Sequence, residues 1–209
     1  FLVAAGKDYG GNLDLYISRK NDRGDWSYPM RLTVSTNKDE RSVFIAGDGK
    51  TIYFGSDGHG GAGGLVIFKT TLLQLNRCGE IINIGAPFNT EQDDYGFIIG
   101  ALGNDAYFVR ESDIYYAKLN NEAAALKPQP TIVINGTVED CDGKPAQSSV
   151  ELYSLKTQQV IASARSNSIT GEYSLAFPLA FGSYVQRFKL FSDQSIINQP
   201  FEVNEATAA

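Results

Sequence analysis

The side chains that most often do chemistry in proteins are scarce in this chain of 209 residues. It contains one histidine, His59, and two cysteines, Cys78 and Cys141. Any nucleophilic mechanism with an imidazole base must use His59, and the five glycines between positions 58 and 64 give that side chain little fixed geometry. A zinc site needs three or four ligands, and these three residues are not spaced as such a set. We therefore predict that His59 is an exposed loop residue without a catalytic role.

A glycine-rich segment around His59 has the spacing of a dinucleotide-binding loop. Its sequence is Gly58-His59-Gly60-Gly61-Ala62-Gly63. In a dinucleotide site the glycines open a helix whose N-terminal amides face the pyrophosphate. Here the apolar run Leu65-Val66-Ile67-Phe68 continues as a strand. We therefore predict a flexible loop between strands, and no cofactor.

Carboxylates cluster at Asp39/Glu40, at Asp93/Asp94 and at Asp140/Asp142. Such pairs can serve glycoside hydrolysis or bind Ca²⁺. The first two pairs occupy equivalent positions of a repeat, and the third lies in Asp140-Cys141-Asp142-Gly143, which has the composition of a β-turn. We predict that all three cap turns, and we assign no catalytic, metal-binding or cofactor-binding residue.

Three further features have a functional interpretation that the sequence does not favour. Arg23-Gly24-Asp25 is an adhesion-type tripeptide in a polar turn, and Asn135-Gly136-Thr137 is a glycosylation sequon in a predicted strand. Cys78 and Cys141 lie in different predicted domains, and a disulfide between them would clamp the two together. Both the paired and the unpaired state are compatible with the sequence.

Eight aromatic side chains recur along the first part of the chain and could form a stacking surface for carbohydrate or peptide. Their repetition at matched positions favours packing between adjacent sheets instead. The eight are Trp26, Tyr28, Tyr53, Phe54, Tyr107, Phe108, Tyr115 and Tyr116.

The composition excludes several classes of protein. Lys and Arg number 18 against 24 Asp and Glu, so the net charge is −6, which argues against nucleic acid and anionic membranes as main partners. No apolar run approaches the roughly 18 residues that span a bilayer. Hydrophobic residues at 43% and charged residues at 20% are ordinary for a globular protein. We therefore predict a globular segment without a direct membrane span.

The first part of the chain repeats itself. Residues 35–40 return as residues 89–94, and residues 52–54 return as residues 106–108, both 54 positions later. A third element, residues 13–16, recurs at 65–68 and at 113–116. Short aromatic strands with Gly and Asp turns at a period of about 50 residues are typical of four-stranded propeller blades. Strands are predicted at 1–5, 13–18, 42–46, 51–55, 65–70, 96–99 and 106–109. A propeller ring needs about four to eight blades, so we expect further blades before residue 1.

The chain changes character near residue 120. Of the 21 glycines, 17 lie in residues 1–119. Residues 120–130 end in Pro128-Gln129-Pro130, which favours an extended linker. Residues 131–203 show the period-two alternation of half-buried strands, which predicts a small β-sandwich. The predicted fold is therefore all-β. It comprises a partial β-propeller of about two to three blades at 1–119, a linker at 120–130, a β-sandwich at 131–205 and the start of another linker at 206–209.

The first part resembles the TolB-like, WD40-related propeller repeats of envelope proteins from the Bacteroidetes. The residues that carry the resemblance are Trp26-Ser27-Tyr28-Pro29, Asn37-Lys38-Asp39-Glu40 and Gly47-Asp48-Gly49-Lys50 with the strand that follows. The family usually has an Asp-Ile-Tyr strand after the glycine-rich loop. Val66 replaces that Asp in one repeat, whereas Asp14 and Asp113 keep it in the flanking repeats.

The second part resembles the carboxypeptidase regulatory-like domain, a transthyretin-type sandwich of seven strands. The matching segments are Ile134-Asn135-Gly136-Thr137, Asp142-Gly143-Lys144-Pro145, Thr170-Gly171-Glu172-Tyr173 and Gly182-Ser183-Tyr184. A propeller followed by this sandwich is similar to the middle of PorE-type periplasmic proteins of the type IX secretion system, which end in an OmpA-family domain.

This combined resemblance implies a non-enzymatic scaffold of the periplasm, associated with the outer membrane. Its expected partners are envelope or secretion-system proteins, with peptidoglycan bound indirectly through a domain outside these residues and with no cofactor. Two alternatives stay open. The propeller is the accessory domain of a peptidase or glycan hydrolase, or the sandwich binds glycan.

Overall fold

The chain forms two compact all-β units in the computed structural model, which describes residues 2–7, 10–21 and 25–204. The first unit ends at Gln129 and the second begins at Pro130. All strand pairs are antiparallel, and each described sheet is open, with two free edge strands. The predicted all-β class is confirmed. The predictions for Phe1, Arg23, Gly24 and residues 205–209 lie outside the described residues.

The first unit contains three sheets, one for each sequence repeat. The first sheet has the order β1 (Leu2–Lys7), β2 (Leu13–Ser18) and β3 (Met30–Arg31). The second has the order β4 (Glu40–Ile45), β5 (Thr51–Ser56), β6 (Val66–Gln74) and β7 (Arg77–Cys78), and β8 (Ile82–Asn83) also pairs with β6. The third has the order β11 (Asp113–Lys118), β10 (Asp105–Arg110) and β9 (Asp94–Ile99). All seven strands predicted for this part form; the two-residue strands β3, β7 and β8 are too short to show an alternation in sequence.

The second sheet is the middle layer of the first unit, because it is buried on both faces. Alternate side chains of a strand point to opposite faces. In β5, Ile52 and Phe54 therefore pack with Leu15 and Ile17 of the first sheet, whereas Tyr53 packs on the other side with the third sheet. All six residues of β5 are buried. The hydrophobic core of this unit thus consists of two layers, one on each side of the second sheet.

The segment predicted as a linker is packed onto the first unit as far as Gln129. It contains a 3₁₀ helix over Asn121–Leu126. The Tyr53 hydroxyl donates a hydrogen bond of 2.6 Å to the carbonyl of Leu126, and the Lys69 ammonium donates one of 2.6 Å to the carbonyl of Ala125. These bonds satisfy carbonyls at the helix end that have no partner within the helix. The composition of the segment favoured an extended chain, but these non-local bonds hold it in place.

Asp48 connects the end of this segment to a turn of the second sheet. Its carboxylate accepts hydrogen bonds from the backbone N–H groups of Lys50, Thr51 and Gln129 and from the Thr51 hydroxyl, at 2.7 to 3.0 Å. Burial by itself raises the pKa of Asp48, but the hydrogen bonds from Thr51, Lys50 and Gln129 outweigh it, and the pKa lies below its ordinary value of 3.8.

The first unit is therefore expected to lose stability in acid partly through Asp48. A carboxyl whose pKa is lower in the folded than in the unfolded chain stabilises the fold above about pH 4 and loses that effect as the pH falls through the folded pKa. We expect Asp48→Asn to be less stable than the wild type at pH 7, with the difference shrinking below about pH 4. Urea unfolding between these pH values measures it, and a difference independent of pH would contradict the assignment.

The second unit packs a two-stranded sheet on a four-stranded sheet. The small sheet pairs β12 (Thr131–Thr137) with β15 (Glu172–Pro178). The large sheet has the order β14 (Gln159–Arg165), β13 (Ser148–Ser154), β16 (Gly182–Leu190) and β17 (Ile196–Val203). The described residues thus form six strands, where the resemblance implied seven.

The alternation that predicted the sandwich is visible in its core. Val150 and Leu152 of β13 and Leu175 and Phe177 of β15 are all buried. The alternation is weaker in β14, where Val160 is exposed, because this strand lies at the edge of its sheet. Val160 is one of the alternating apolar residues in 131–203 that predicted a buried face, and for this residue the prediction is wrong.

Candidate interaction surface

Two buried carboxylates, Glu40 and Asp94, close equivalent loops. These loops lie just before β4 and β9, the first strands of the second and third sheets. Glu40 accepts hydrogen bonds from the backbone N–H and the hydroxyl of Thr36, both at 2.7 Å. Asp94 accepts the same two bonds from Thr90, at 2.6 and 2.8 Å. Both acids are 0% exposed. We name residues 35–40 and 89–94 the clasp loops.

Each buried carboxylate has a further partner from the strand beside it. The Ser56 hydroxyl donates a hydrogen bond of 2.9 Å to Glu40, and the Arg110 guanidinium donates one of 2.7 Å to Asp94. Ser56 and Arg110 are also 54 positions apart. Both copies of the repeat therefore have a hydrogen-bond donor at this position. The donor is a neutral hydroxyl in one copy and a charged guanidinium in the other.

The first residue of each clasp loop binds the backbone of the preceding sheet. The Ser35 hydroxyl accepts the N–H of Leu15 at 2.9 Å. The Asn89 side chain accepts the N–H of Ile67 and donates to its carbonyl, both at 2.8 Å. Since Leu15 and Ile67 lie on β2 and β6, the clasp loops join consecutive sheets through main-chain groups.

An aspartate in each clasp loop makes a second bond to the preceding sheet. Asp39 accepts the N–H of Leu13 at 2.9 Å, and Asp93 accepts the N–H of Leu65 at 2.8 Å. The clasp loops thus bind two tripeptides, residues 13–15 and residues 65–67, which we name the receiving tripeptides. The predicted turn-capping role is confirmed for Glu40 and Asp94, which close their own loops. Asp39 and Asp93 bond the preceding sheet instead.

The third sheet has a tripeptide at the corresponding place, Ser112-Asp113-Ile114, so the strand pairing shifts the match of residues 13–16 with 113–116 by one residue. Ile114 pairs with Val109 as Ile67 pairs with Gly55, and Val109 follows Gly55 by 54 positions. β11 is an edge strand of its sheet, and no clasp loop of the described residues bonds to it. The third sheet therefore presents a receiving tripeptide without a clasp.

The outer face of the third sheet carries a row of exposed apolar side chains. Ile98 pairs with Tyr107 and Tyr107 pairs with Tyr116, so all three lie on one face of the sheet, together with Ile114. Tyr107 is 47% exposed, whereas Tyr53, its counterpart 54 positions earlier, is 0% exposed beneath the third sheet. We name Ile98, Tyr107, Ile114 and Tyr116 the aromatic face. Large exposed apolar patches mark interaction sites in many proteins, which makes the aromatic face the candidate interaction surface of this unit.

The predictions for the eight aromatic residues are met in part. Tyr53, Phe54 and Phe108 are buried between sheets, as expected from packing. The other five are exposed, and Tyr107 and Tyr116 are adjacent, with ring centroids 5.3 Å apart. Packing was therefore the wrong prediction for these five: Trp26, Tyr28, Tyr107, Tyr115 and Tyr116.

His59 is half-buried, and the prediction of an exposed loop side chain is wrong. Its Nε2 atom lies 2.7 Å from the carbonyl oxygen of Val34. Its ring meets the rings of Phe54 and Phe68 edge-on, with centroids 5.8 and 5.3 Å apart. His59 thus fills the boundary of the core between the first and second sheets.

The glycine-rich loop leads into strand β6 as predicted, but its glycines serve close packing. A Cβ atom on Gly63 would lie 2.2 Å from the carbonyl oxygen of Gln92, and one on Gly64 would lie 2.3 Å from the Asp93 carboxylate. The predicted flexible loop is therefore packed against the second clasp loop, and the missing side chains allow that approach.

The remaining candidates have ordinary structural surroundings. Cys78 is half-buried and Cys141 exposed, and both are free thiols; burial raises the pKa of Cys78. Asp140 accepts the N–H groups of Asp142 and Lys144, both at 2.9 Å, which confirms the turn. Asn135 lies in β12, as predicted for the sequon.

Nowhere in residues 2–7, 10–21 and 25–204 do three or more His, Cys, Asp or Glu side chains gather as a set that could hold a metal ion. In the same ranges, no helix has the length and apolar character needed to cross a membrane.

Comparisons with known proteins give no family. No protein-family model matches the chain, and no curated protein matches it. One similar solved structure is PorZ, described as an essential bacterial surface component of the type IX secretion system of Porphyromonas gingivalis; the identity is 10% and the TM-score 0.27, over 98% of this chain and 39% of that one. Another is the BSP domain of a biofilm associated protein, with 13% identity and a TM-score of 0.27, over 98% of this chain and 46% of that one. The chain thus spans less than half the length of either structure, and likenesses this low define neither its fold nor its function.

Proposed function

We propose that the chain is a non-enzymatic scaffold module that binds protein partners through the aromatic face of its third sheet. The observation that carries the proposal is the contrast between Tyr107, 47% exposed, and its counterpart Tyr53, 0% exposed beneath another sheet. Burial of large aromatic side chains contributes strongly to interface energy. A protein surface that covers the aromatic face as the third sheet covers Tyr53 gains the same kind of burial.

The proposal also specifies the domain architecture of the chain and its location in the cell. In it, residues 2–119 are consecutive blades of a TolB-like propeller, and residues 131–203 are a carboxypeptidase regulatory-like spacer. The module lies in the periplasm at the outer membrane, with envelope or type IX secretion proteins as partners and with peptidoglycan reached through an OmpA-family domain outside these residues. The stacking of one sheet per repeat and the sequence resemblance support this assignment.

Site-specific photo-crosslinking in the native cells tests the proposal. A photoreactive phenylalanine analogue replaces Tyr107, and the matched control places it at Tyr28, which is 90% exposed on the same unit. We expect ultraviolet light to attach envelope proteins at position 107 and none at position 28. Cross-links to cytosolic proteins alone, or equal products at both positions, would overturn the proposal.

A further inference from the structure

The hairpin that joins β6 to β7 carries two exposed leucines at its turn. We propose that this hairpin tip, residues 73–77, binds the surface of a membrane that contains anionic lipids. The sheets of the first unit pack face to face, and the hairpin tip lies at the strand ends, which such packing leaves uncovered. The inference goes beyond the proposed function and does not depend on it, because the aromatic face belongs to a different sheet.

Leu75 has a backbone conformation that leucine disfavours. It is the first of two turn residues between Gln74 and Arg77, which pair with each other, and its φ is 48°. Glycine usually takes a turn position with a positive φ. The turns before β5 and β10 follow this rule, with Gly49 at 68° and Gly103 at 71°. Strained residues often serve a function, which makes Leu75 the candidate contact residue of this hairpin.

Polar groups, and not the leucine side chains, hold the hairpin tip on the first sheet. The carbonyl of Leu75 accepts a hydrogen bond of 2.7 Å from the Arg19 guanidinium. The Asn76 side chain donates one of 2.7 Å to the carbonyl of Arg31. Leu73 and Leu75 are nevertheless 60% and 62% exposed. The fold therefore fixes the position of the turn while both apolar side chains stay available to an external apolar phase.

Trp26 lies in the loop beside the hairpin tip. The N–H of Ser27 donates to the carbonyl of Arg19, whose guanidinium bonds the tip. Trp26 is 52% exposed, and the Lys20 ammonium lies 5.7 Å from the centroid of its ring. Tryptophan is enriched at the level of the lipid headgroups, where its ring meets both water and the apolar layer. Trp26 is therefore placed to lie at that level when the two leucines enter the apolar layer.

Three exposed cations near the hairpin tip have no acid within ion-pair distance among the described residues. They are Lys20, Lys50 and Arg77. Lys50 directly precedes β5, whose first residue pairs with Thr71, two positions before the tip. Two exposed acids, Asp25 and Glu80, lie in the same segments. Each lysine or arginine close to an anionic membrane strengthens binding about fivefold, so the cations select anionic lipids.

The net charge of −6 is compatible with this contact because the acids are unevenly distributed. The two clasp loops contain five acids and one lysine. Glu40, the last residue of the first clasp loop, pairs with Ser56 at one end of β5, whereas Thr51 pairs with Thr71 at the other end. The clasp loops therefore lie at the end of the second sheet that is opposite to the hairpin tip. An anionic surface meets the tip with these acids turned away from it.

A vesicle titration of the whole 209-residue chain tests the inference. The vesicles contain equal parts of phosphatidylethanolamine and phosphatidylglycerol, and Trp26, the single tryptophan, reports contact through its fluorescence. We expect a saturable blue shift that weakens as salt is added, because salt screens the attraction of the cations. Vesicles of phosphatidylcholine alone are expected to bind about tenfold more weakly or less.

Variants assign the binding to the hairpin tip, with co-sedimentation on vesicles as a readout that is independent of Trp26. Leu75→Asn is expected to weaken binding about tenfold, because it removes one inserted leucine. Asparagine tolerates a positive φ, so the urea midpoint of this variant is expected to equal or exceed that of the wild type. Arg77→Gln is expected to weaken binding about fivefold. Ile169→Asn, which changes an exposed aliphatic side chain of the second unit, is the matched control and is expected to bind equally.

Four outcomes would overturn the inference. They are no binding at millimolar lipid, equal binding to phosphatidylcholine vesicles, unchanged binding of Leu75→Asn, and a lower urea midpoint of that variant, which would give Leu75 a role in the fold. Vesicle binding that Tyr107→Ser removes and Leu75→Asn leaves intact would assign the membrane to the aromatic face and also overturn it. Vesicle binding through the hairpin tip without envelope cross-links at position 107 would refute only the proposed scaffold.

Discussion

Asp94→Ala is expected to lower the free energy of unfolding of the first unit by about 3 to 5 kcal/mol. The carboxylate is buried, and it accepts two hydrogen bonds from Thr90 and one from Arg110. Alanine leaves all three donors without their acceptor, and the guanidinium, with a side chain 19% exposed, loses its counter-charge. Urea unfolding followed by the fluorescence of Trp26, the single tryptophan, measures the change in this unit.

Glu91→Ala is the matched control for this loss. Glu91 is an acid of the same clasp loop, and its side chain is exposed. Exposed substitutions of this kind change stability by about 0.5 kcal/mol or less. Equal stability of the two variants would mean that the buried ion pair does not hold the loop between the second and third sheets.

Gly171→Ala is expected to destabilise the second unit by about 3 kcal/mol. Gly171 has a φ of 71°, in the left-handed region that side chains disfavour. An added Cβ atom would also lie 2.4 Å from the carbonyl oxygen of Val138. The N–H of Val138 donates to the carbonyl of Gly171 at 2.9 Å, so the backbone cannot move apart without losing that bond. Amide hydrogen exchange of residues 130–204 measures the stability of this unit.

Gly143→Ala separates the cost of the left-handed backbone conformation from the cost of the close approach to Val138. Gly143 has a similar φ of 75°, but no atom lies within 4 Å of the position that its Cβ would take. We expect it to cost about 1 kcal/mol, the cost of the left-handed conformation alone. If both variants lose the same stability, the close approach to Val138 contributes nothing and the steric argument fails.

Local sequence patterns predicted the strands well. Alternation and turn residues act over a few neighbours, so strands such as β2, β5 and β13 form where their residues predict them. The 54-residue repeat also located Glu40 and Asp94, because a turn cap depends on side chains only four positions away. The hydrogen bonds that Glu40 and Asp94 accept from Thr36 and Thr90 could therefore be predicted without knowing how distant residues pack.

Non-local packing decided the rest. His59 lies among glycines and was expected to be exposed, yet it lies against Phe54 and Phe68. Residues 120–129 have the composition of a linker, yet Tyr53, Lys69 and Asp48 hold them on the first unit. In each case the deciding partner lies five or more positions away in sequence, beyond the reach of the local patterns that predicted the turns.

The all-β class, the repeat and the capping roles of Glu40 and Asp94 could be predicted from residue types and short spacings. Which copy of a repeated position is exposed depends on how the sheets pack on one another. Tyr53 and Tyr107 occupy equivalent places in equivalent strands, but a sheet covers the first and no described sheet covers the second. The exposed fraction of a side chain depends on whether another sheet packs over it. Two copies of a repeat have the same sequence pattern whether or not such a sheet is present.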